Sequence, residues 1–179
     1  MRQDDYARIT KIVNSVSLFS ITTMMDFLVA EKYYLLADKD YDKRFLRGKI
    51  FVILNEGFKR LYGFDAKSRK KSEWAKLASI IPHFSQIIKN QYNEMTDYLQ
   101  KSSEQSTWWK EERDQETHID AIALYYSRMK EIPEGEVIMK SMKLYRALLA
   151  VNDFLYNLDS CLFNYLKMQA QQGNIKVVE

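Results

Sequence analysis

One short stretch of the sequence, residues 108–120, brings together the residue types that acid–base chemistry needs. It contains one of the two histidines of the chain, His118, four residues after Asp114 and five residues after Arg113. On a helix, residues four apart lie on one face, so the Asp114 carboxylate can fix the tautomer of the His118 ring and raise its basicity. Arg113 lies about 140° from His118 around the same helix, at roughly 100° per residue. One regular helix therefore cannot direct both side chains at one atom, whereas a break in the helix or a second, facing copy could.

The spacing Arg-Asp-x-x-x-His resembles the signature of the HEPN superfamily, in which a polar residue follows the arginine and a histidine lies four to six positions after it. Asp120 adds a likeness to the His-x-Asp variant of the abortive-infection branch. Residues 51–64 look like the helix that usually precedes the motif helix. Two positions depart from the pattern. Thr117 replaces the small apolar residue of many members, and Asp120 lies where the nucleotidyltransferase-paired branch has a tyrosine.

The resemblance implies a helical bundle and, for active members, a metal-independent ribonuclease of the toxin or phage-defence kind. Such enzymes are homodimers with two motifs facing across one cleft, and a toxin usually has an antitoxin or regulatory protein as its partner. Carried over by residue, Arg113 would stabilise the phosphate, His118 would transfer the proton and Asp114 would orient the pair. Many members have no nuclease activity, so the alternative is a silent helical dimer that binds RNA, a nucleotide or a protein partner.

A second candidate site is the basic segment, residues 65–71. Its cations are Lys67, Arg69, Lys70 and Lys71, four within five residues. They would meet RNA phosphates well, as contacts that do not depend on base sequence. The alternative is a solvated loop, because runs of charge usually need no further reason.

The composition predicts an all-α fold. A chain of 179 residues with 46% hydrophobic content suits one domain with a sizeable core and excludes a disordered chain. Five glycines and two prolines are too few for the many turns of a sandwich or barrel. The net charge of +3 permits a polyanionic partner without requiring one. We expect a single domain over residues 1–172 and a frayed tail over residues 173–179.

No metal or cofactor is expected, because two histidines and one cysteine at unrelated positions do not form a usual zinc or iron–sulfur site. Cys161 lies in the apolar repeat of the last helix and is expected to be a buried, inert thiol. The start of the chain is charged and lacks a signal-peptide pattern. The least polar window, residues 12–30, includes Asn14 and Asp26 and is interpreted as a core-facing helix. The expected location is therefore cytoplasmic, with no membrane partner.

Helical periodicity predicts an antiparallel bundle of four to five helices with a long C-terminal helix. The long helices are expected at about residues 4–37, 42–62, 84–100, 106–131 and 136–171, with a short helix at 72–81. The second helix should keep Arg44 and Arg47 on its solvent side, and His83 should be structural. The last helix has apolar residues on more than one side, which favours burial against a partner subunit. The core stripe of the first helix is expected to comprise Tyr6, Ile9, Val13, Val16, Ser20, Thr23, Phe27 and Ala30.

Overall fold

Four long helices form most of the structure, a computed structural model that describes residues 3–104 and 132–172. Within these residues all regular secondary structure is helical. The long helices are α1 (Gln3–Leu36), α2 (Asp40–Leu61), α5 (Gln86–Glu104) and α6 (Glu134–Gln171). Two short helices, α3 (Ala66–Arg69) and α4 (Glu73–Ala78), and a 3₁₀ turn (Ile81–His83) connect α2 to α5. The prediction of an all-α bundle with a long C-terminal helix is confirmed.

The core forms where α1 packs against both α2 and α6. The predicted stripe of α1 faces this core, from Ile9 through Phe27 to Ala30, and among its members only Tyr6 is partly exposed. The same periodicity buries Leu54, Phe58 and their neighbours on α2. On α6 the buried side follows Leu144, Leu148, Val151, Leu155, Leu158 and Leu162. Burial of these stripes is the main force that holds the bundle together.

Gly57 lets α2 approach α1 closely. A Cβ atom at this position would lie 2.8 Å from Cγ2 of Thr23 on α1 and 3.5 Å from Cδ2 of Leu144 on α6. The first distance is shorter than carbon atoms tolerate without movement. Thr23 is itself buried, so a small hydroxylated residue of α1 lies at this close contact between the helices.

An aromatic cluster fixes α4 to α5 and α6. The rings of Trp74 on α4 and Tyr92 on α5 stack at 4.9 Å with an interplanar angle of 6°, and Phe154 of α6 lies 5.4 Å from Trp74. The buried Trp74 indole donates a hydrogen bond of 2.9 Å to Thr96 Oγ1, so its polar atom is satisfied. This cluster holds the α2–α5 connection, and with it the basic segment, against the bundle.

α1 also presents a second apolar surface, which the fold leaves exposed. This exposed α1 face consists of Leu18, Ile21, Met25, Val29 and Leu36, each about half to two-thirds exposed. Among the described helices, α1 is the one long and apolar enough to cross a membrane, and 28% of its most apolar window is buried. Core helices of soluble proteins can be equally long and equally apolar. α1 therefore has two apolar sides, one in the core and one facing outward.

Two expectations about single residues are wrong. Cys161 is exposed, because the buried side of α6 follows Leu158 and Leu162 and the thiol lies beside that stripe. Arg47 is buried, with 7% of its surface exposed, although it was expected on the solvent side of α2. It lies seven residues before the buried Leu54 and thus on the same face of the helix.

Candidate nucleic-acid interface

The motif residues Arg113, Asp114 and His118 lie outside the described residues. The first described range ends at Glu104, the last residue of α5. The second begins at Ile132, two residues before the start of α6. A group of cationic side chains lies beside each of these two points. The structure therefore shows the surroundings of the two ends of the motif segment, residues 105–131.

The basic segment is not an extended loop but is built around the one-turn helix α3. The Asp65 carboxylate caps this turn by accepting hydrogen bonds of 2.8 Å from the backbone N–H groups of Lys67 and Ser68. Ser68 Oγ in turn accepts a hydrogen bond of 3.0 Å from the Asp65 N–H, which completes a capping box. The hydrogen bond from the Ser68 N–H is the main reason that the pKa of Asp65 lies below its ordinary value.

The turn into this segment depends on Gly63, which lies two residues after the end of α2. Its φ of +88° lies in the left-handed region, where side chains are strained. A Cβ atom there would also lie 2.5 Å from the backbone nitrogen of Arg69. Backbone shape and close approach thus both require glycine, and together they fold α3 back against the end of α2.

Arg69 differs from the other three cations of the segment, because its side chain is half-buried and engaged within the protein. Its guanidinium lies 5.3 Å from the centre of the Tyr62 ring, a cation–π contact. It also donates a hydrogen bond of 3.2 Å to Ser103 Oγ, one residue before the end of α5. Arg69 therefore fastens the basic segment to the point from which the motif segment departs.

The remaining cations, Lys67, Lys70 and Lys71, are exposed on this anchored turn. Lysine side chains on a fixed scaffold present point charges to solvent, as contacts to a phosphate backbone require. All four residues that the sequence predicts to bind RNA thus lie close together, but their surroundings differ. Three face solvent, and one is held by Tyr62 and Ser103.

The second cationic group lines a cavity of about 420 Å³ at the opposite end of α2. Three cations, Lys43, Arg44 and Arg47, contribute to its wall, and Lys43 forms an ion pair with Glu134 at the start of α6. Burial, followed by the nearby charge of Glu134, raises the pKa of the Tyr34 phenol in the same wall. The other lining residues are Asp40, Ile132 and Pro133. We call this space the cationic cavity.

Sequence reasoning did not find the cationic cavity, because it placed Arg44 and Arg47 among solvent-facing charges. A usable signal was present. Arg47 continues the buried spacing of Leu54 and Leu61 toward the start of α2, and an arginine on the apolar face of a helix indicates a buried ionic or binding site.

Comparison with protein-family models, curated proteins and solved structures finds no match to this chain. Within residues 3–104 and 132–172, no group of three or more histidine, cysteine, aspartate or glutamate side chains is arranged to hold a metal ion. The second histidine, His83, lies exposed in the 3₁₀ turn. The features of the described chain that bear on function are therefore the basic segment, the cationic cavity and the exposed α1 face.

Proposed function

We propose that the chain is a metal-independent endoribonuclease of the HEPN toxin or phage-defence kind, active as a cytoplasmic homodimer. The observation that carries the proposal is the Arg113-Asp114-x-x-x-His118 spacing in an all-α chain whose long last helix follows the motif segment. This order of elements is the one that the HEPN resemblance implies.

The reaction follows from what the residue types can do. His118 takes the proton of a ribose 2′-hydroxyl as that oxygen attacks the adjacent phosphorus, and the bond from phosphorus to the 5′-oxygen breaks. The proton then passes to the leaving 5′-oxygen, so the products are a 2′,3′-cyclic phosphate and a 5′-hydroxyl. The Arg113 guanidinium offers a planar fork of donors to the charged phosphorus centre, and Asp114 orients the imidazole. Each step uses side chains alone and needs no metal ion.

The cationic surfaces support an RNA substrate. The basic segment is bonded to α5 through Arg69 and Ser103, next to the start of the motif segment. The cationic cavity includes Ile132, next to its end. Phosphate contacts at both points would position a strand without reading its bases.

The exposed α1 face supports a homodimer. Large contiguous apolar patches on the surface of a soluble protein usually mark a site that a partner covers. α6 adds Tyr156 and Phe163, which are 73% and 66% exposed. A second copy of the chain would bury these surfaces and would bring two motif segments into one assembly, which resolves the geometric conflict between Arg113 and His118.

RNA cleavage in the presence of EDTA is the decisive test. We expect the wild type to cut RNA and His118→Ala to reduce the cleavage rate roughly 10²–10⁴-fold. Arg113→Lys should also lose cleavage, because an ammonium group lacks the planar fork of donors of a guanidinium. Asp114→Asn should cost less, since an amide keeps an orienting hydrogen bond. His83→Ala is the matched control, because it removes an exposed histidine from the 3₁₀ turn, and it should cleave like the wild type.

The alternative function, a silent helical dimer that binds RNA, a nucleotide or a protein, gives a different result. It predicts RNA binding without cleavage. If His118→Ala also melts at a much lower temperature than His83→Ala, His118 is structural and the nuclease proposal is wrong.

Light scattering tests the dimer separately. Met25→Glu places a charge in the middle of the exposed α1 face and should convert dimer to monomer at micromolar concentration. Ile87→Glu on α5 is the control, because Ile87 is equally apolar, 70% exposed and outside that face. A wild type that is a monomer at this concentration would rule out the dimer.

A further inference from the structure

The cationic cavity, which the proposed function uses only for contacts to RNA phosphates, also has the size of a small-molecule site. Its volume of about 420 Å³ lies within the range of pockets that hold small molecules, roughly 300–1,000 Å³. Its wall combines charged groups with an apolar part contributed by Ile132 and Pro133. A space of this size and mixed character suits a ligand with a charged end and an apolar body.

The charges of the wall favour an anion. Among the described residues of the wall, three side chains are cationic and two, Asp40 and Glu134, are carboxylates. Lys43 is paired with Glu134, and Arg44 and Arg47 also interact within the protein. Arg47 is the most buried of the cations, with 7% exposure, and a guanidinium remains charged under all ordinary conditions. Its planar fork of donors matches the oxygens of a phosphate group.

Two helices also begin at this cavity, α2 at Asp40 and α6 at Glu134. The N-terminal ends of helices carry a partial positive charge, and both helices are several turns long. Tyr34, which is 3% exposed, also lines the cavity, and burial raises the pKa of its phenol further above neutral pH. The hydroxyl can therefore donate a hydrogen bond to an anionic oxygen at neutral pH.

We propose that the cationic cavity binds a small phosphate-bearing anion of mononucleotide size, with the phosphate against Arg44, Arg47 and Lys43. Ile132 and Pro133 would contact the less polar body of such a ligand. The site is distinct from the motif residues, so it can exist whether or not the chain cleaves RNA. The competing account is an ion cluster whose charges satisfy only one another.

Calorimetric titration of the full chain with three probes separates these accounts. We expect AMP to bind saturably and adenosine, which lacks the phosphate, to bind at least tenfold more weakly. Inorganic phosphate is the third arm. Tighter binding of AMP than of phosphate supports a ligand of mononucleotide size, whereas phosphate that binds as tightly as AMP overturns that assignment.

Arg44→Gln tests the location of binding, since Arg44 is only half-buried and its replacement keeps a side chain of similar length. Arg44→Gln should weaken the binding of AMP at least tenfold. Lys49→Gln is the control, because Lys49 is exposed on the same helix, lies over the Phe45 ring and does not line the cavity. Absence of saturable phosphate or AMP binding to the wild type, equal binding of adenosine, or equal losses in the two variants overturns the proposal.

Discussion

Replacing Arg69 by methionine should destabilise the protein, whereas the same change at the adjacent Lys70 should not. Methionine keeps much of the apolar stem of each side chain and removes its charge. At Arg69 the lost groups contact Tyr62 and Ser103, and at Lys70 the lost group faces solvent. The pair of variants therefore separates an anchoring cation from a solvated one within a single turn.

The expected size follows from the contacts. A partly exposed cation–π contact contributes about 0.5–1 kcal/mol, and a hydrogen bond from a charged donor about 1.5 kcal/mol. Part of this is offset, because Arg69 Nε is buried without an acceptor, and its removal recovers about 1 kcal/mol. The net loss is about 1–1.5 kcal/mol, or roughly 2–6 °C in Tm for a domain of this size. Lys70→Met should stay within about 0.5 kcal/mol of the wild type.

Guanidinium chloride unfolding followed by circular dichroism measures both variants. Titration with single-stranded RNA at several salt concentrations measures RNA binding, on which Lys70→Met should have a larger effect than Arg69→Met. Lys70→Met should reduce the salt dependence by about one phosphate contact, and replacing Lys67, Lys70 and Lys71 together by about three. Arg69→Met should change this slope least. If Arg69→Met is as stable as Lys70→Met, the guanidinium does not hold the segment and the argument from its contacts fails.

Two further predictions concern packing and pH. Gly57→Ala should destabilise the wild type by about 1–2 kcal/mol, because overpacking against Thr23 outweighs a helix-propensity gain of about 1 kcal/mol. In a Thr23→Ser background most of this penalty should disappear. An equal effect of Gly57→Ala in the wild type and in Thr23→Ser would contradict the 2.8 Å contact. The stability from the Asp65 cap should be fully present above the ordinary pKa of 3.8 and should disappear as pH falls through the lower folded pKa, and ¹³C NMR of the carboxyl carbon should show a midpoint below 3.8. Asp65→Asn should abolish that part of the pH dependence.

The sequence was sufficient to predict the four long helices of the described residues and the main stripe of α1, since a spacing of three and four residues persists along α1 and few glycines or prolines interrupt it. The helix predicted at residues 106–131 lies outside the described residues. It was weaker where one position serves two purposes. The periodicity placed Arg47 on the buried face while its charge suggested solvent, and burial prevailed. Cys161 shows the converse, an apolar residue beside the stripe and not within it.

The folded state of the basic segment could be predicted only in part. The second helix was predicted to end at about residue 62, but the sequence did not show that Asp65 and Ser68 cap each other. The attachment of Arg69 to Ser103 joins residues 34 positions apart in the chain and depends on tertiary packing. No local pattern reports such a contact, which is why the four cations looked equivalent in the sequence.

The two cationic groups lie at opposite ends of α2, which sets the size of any strand that both could bind. Lys43 lies in the first turn of α2, and Tyr62, beneath Arg69, follows its last residue. Nineteen helical residues at about 1.5 Å each separate them by about 28 Å. A stacked strand advances about 3.4 Å per nucleotide, so a stacked RNA that contacts both groups needs about eight nucleotides, and an extended one needs fewer. We therefore expect affinity to rise sharply between RNA oligomers of about four and ten nucleotides, as measured by fluorescence anisotropy at constant salt. In Arg44→Gln the ten-nucleotide RNA should lose this advantage, whereas in Lys49→Gln it should keep it. A gradual rise with length that is equal in both variants would show that the two cationic groups do not bind one strand together.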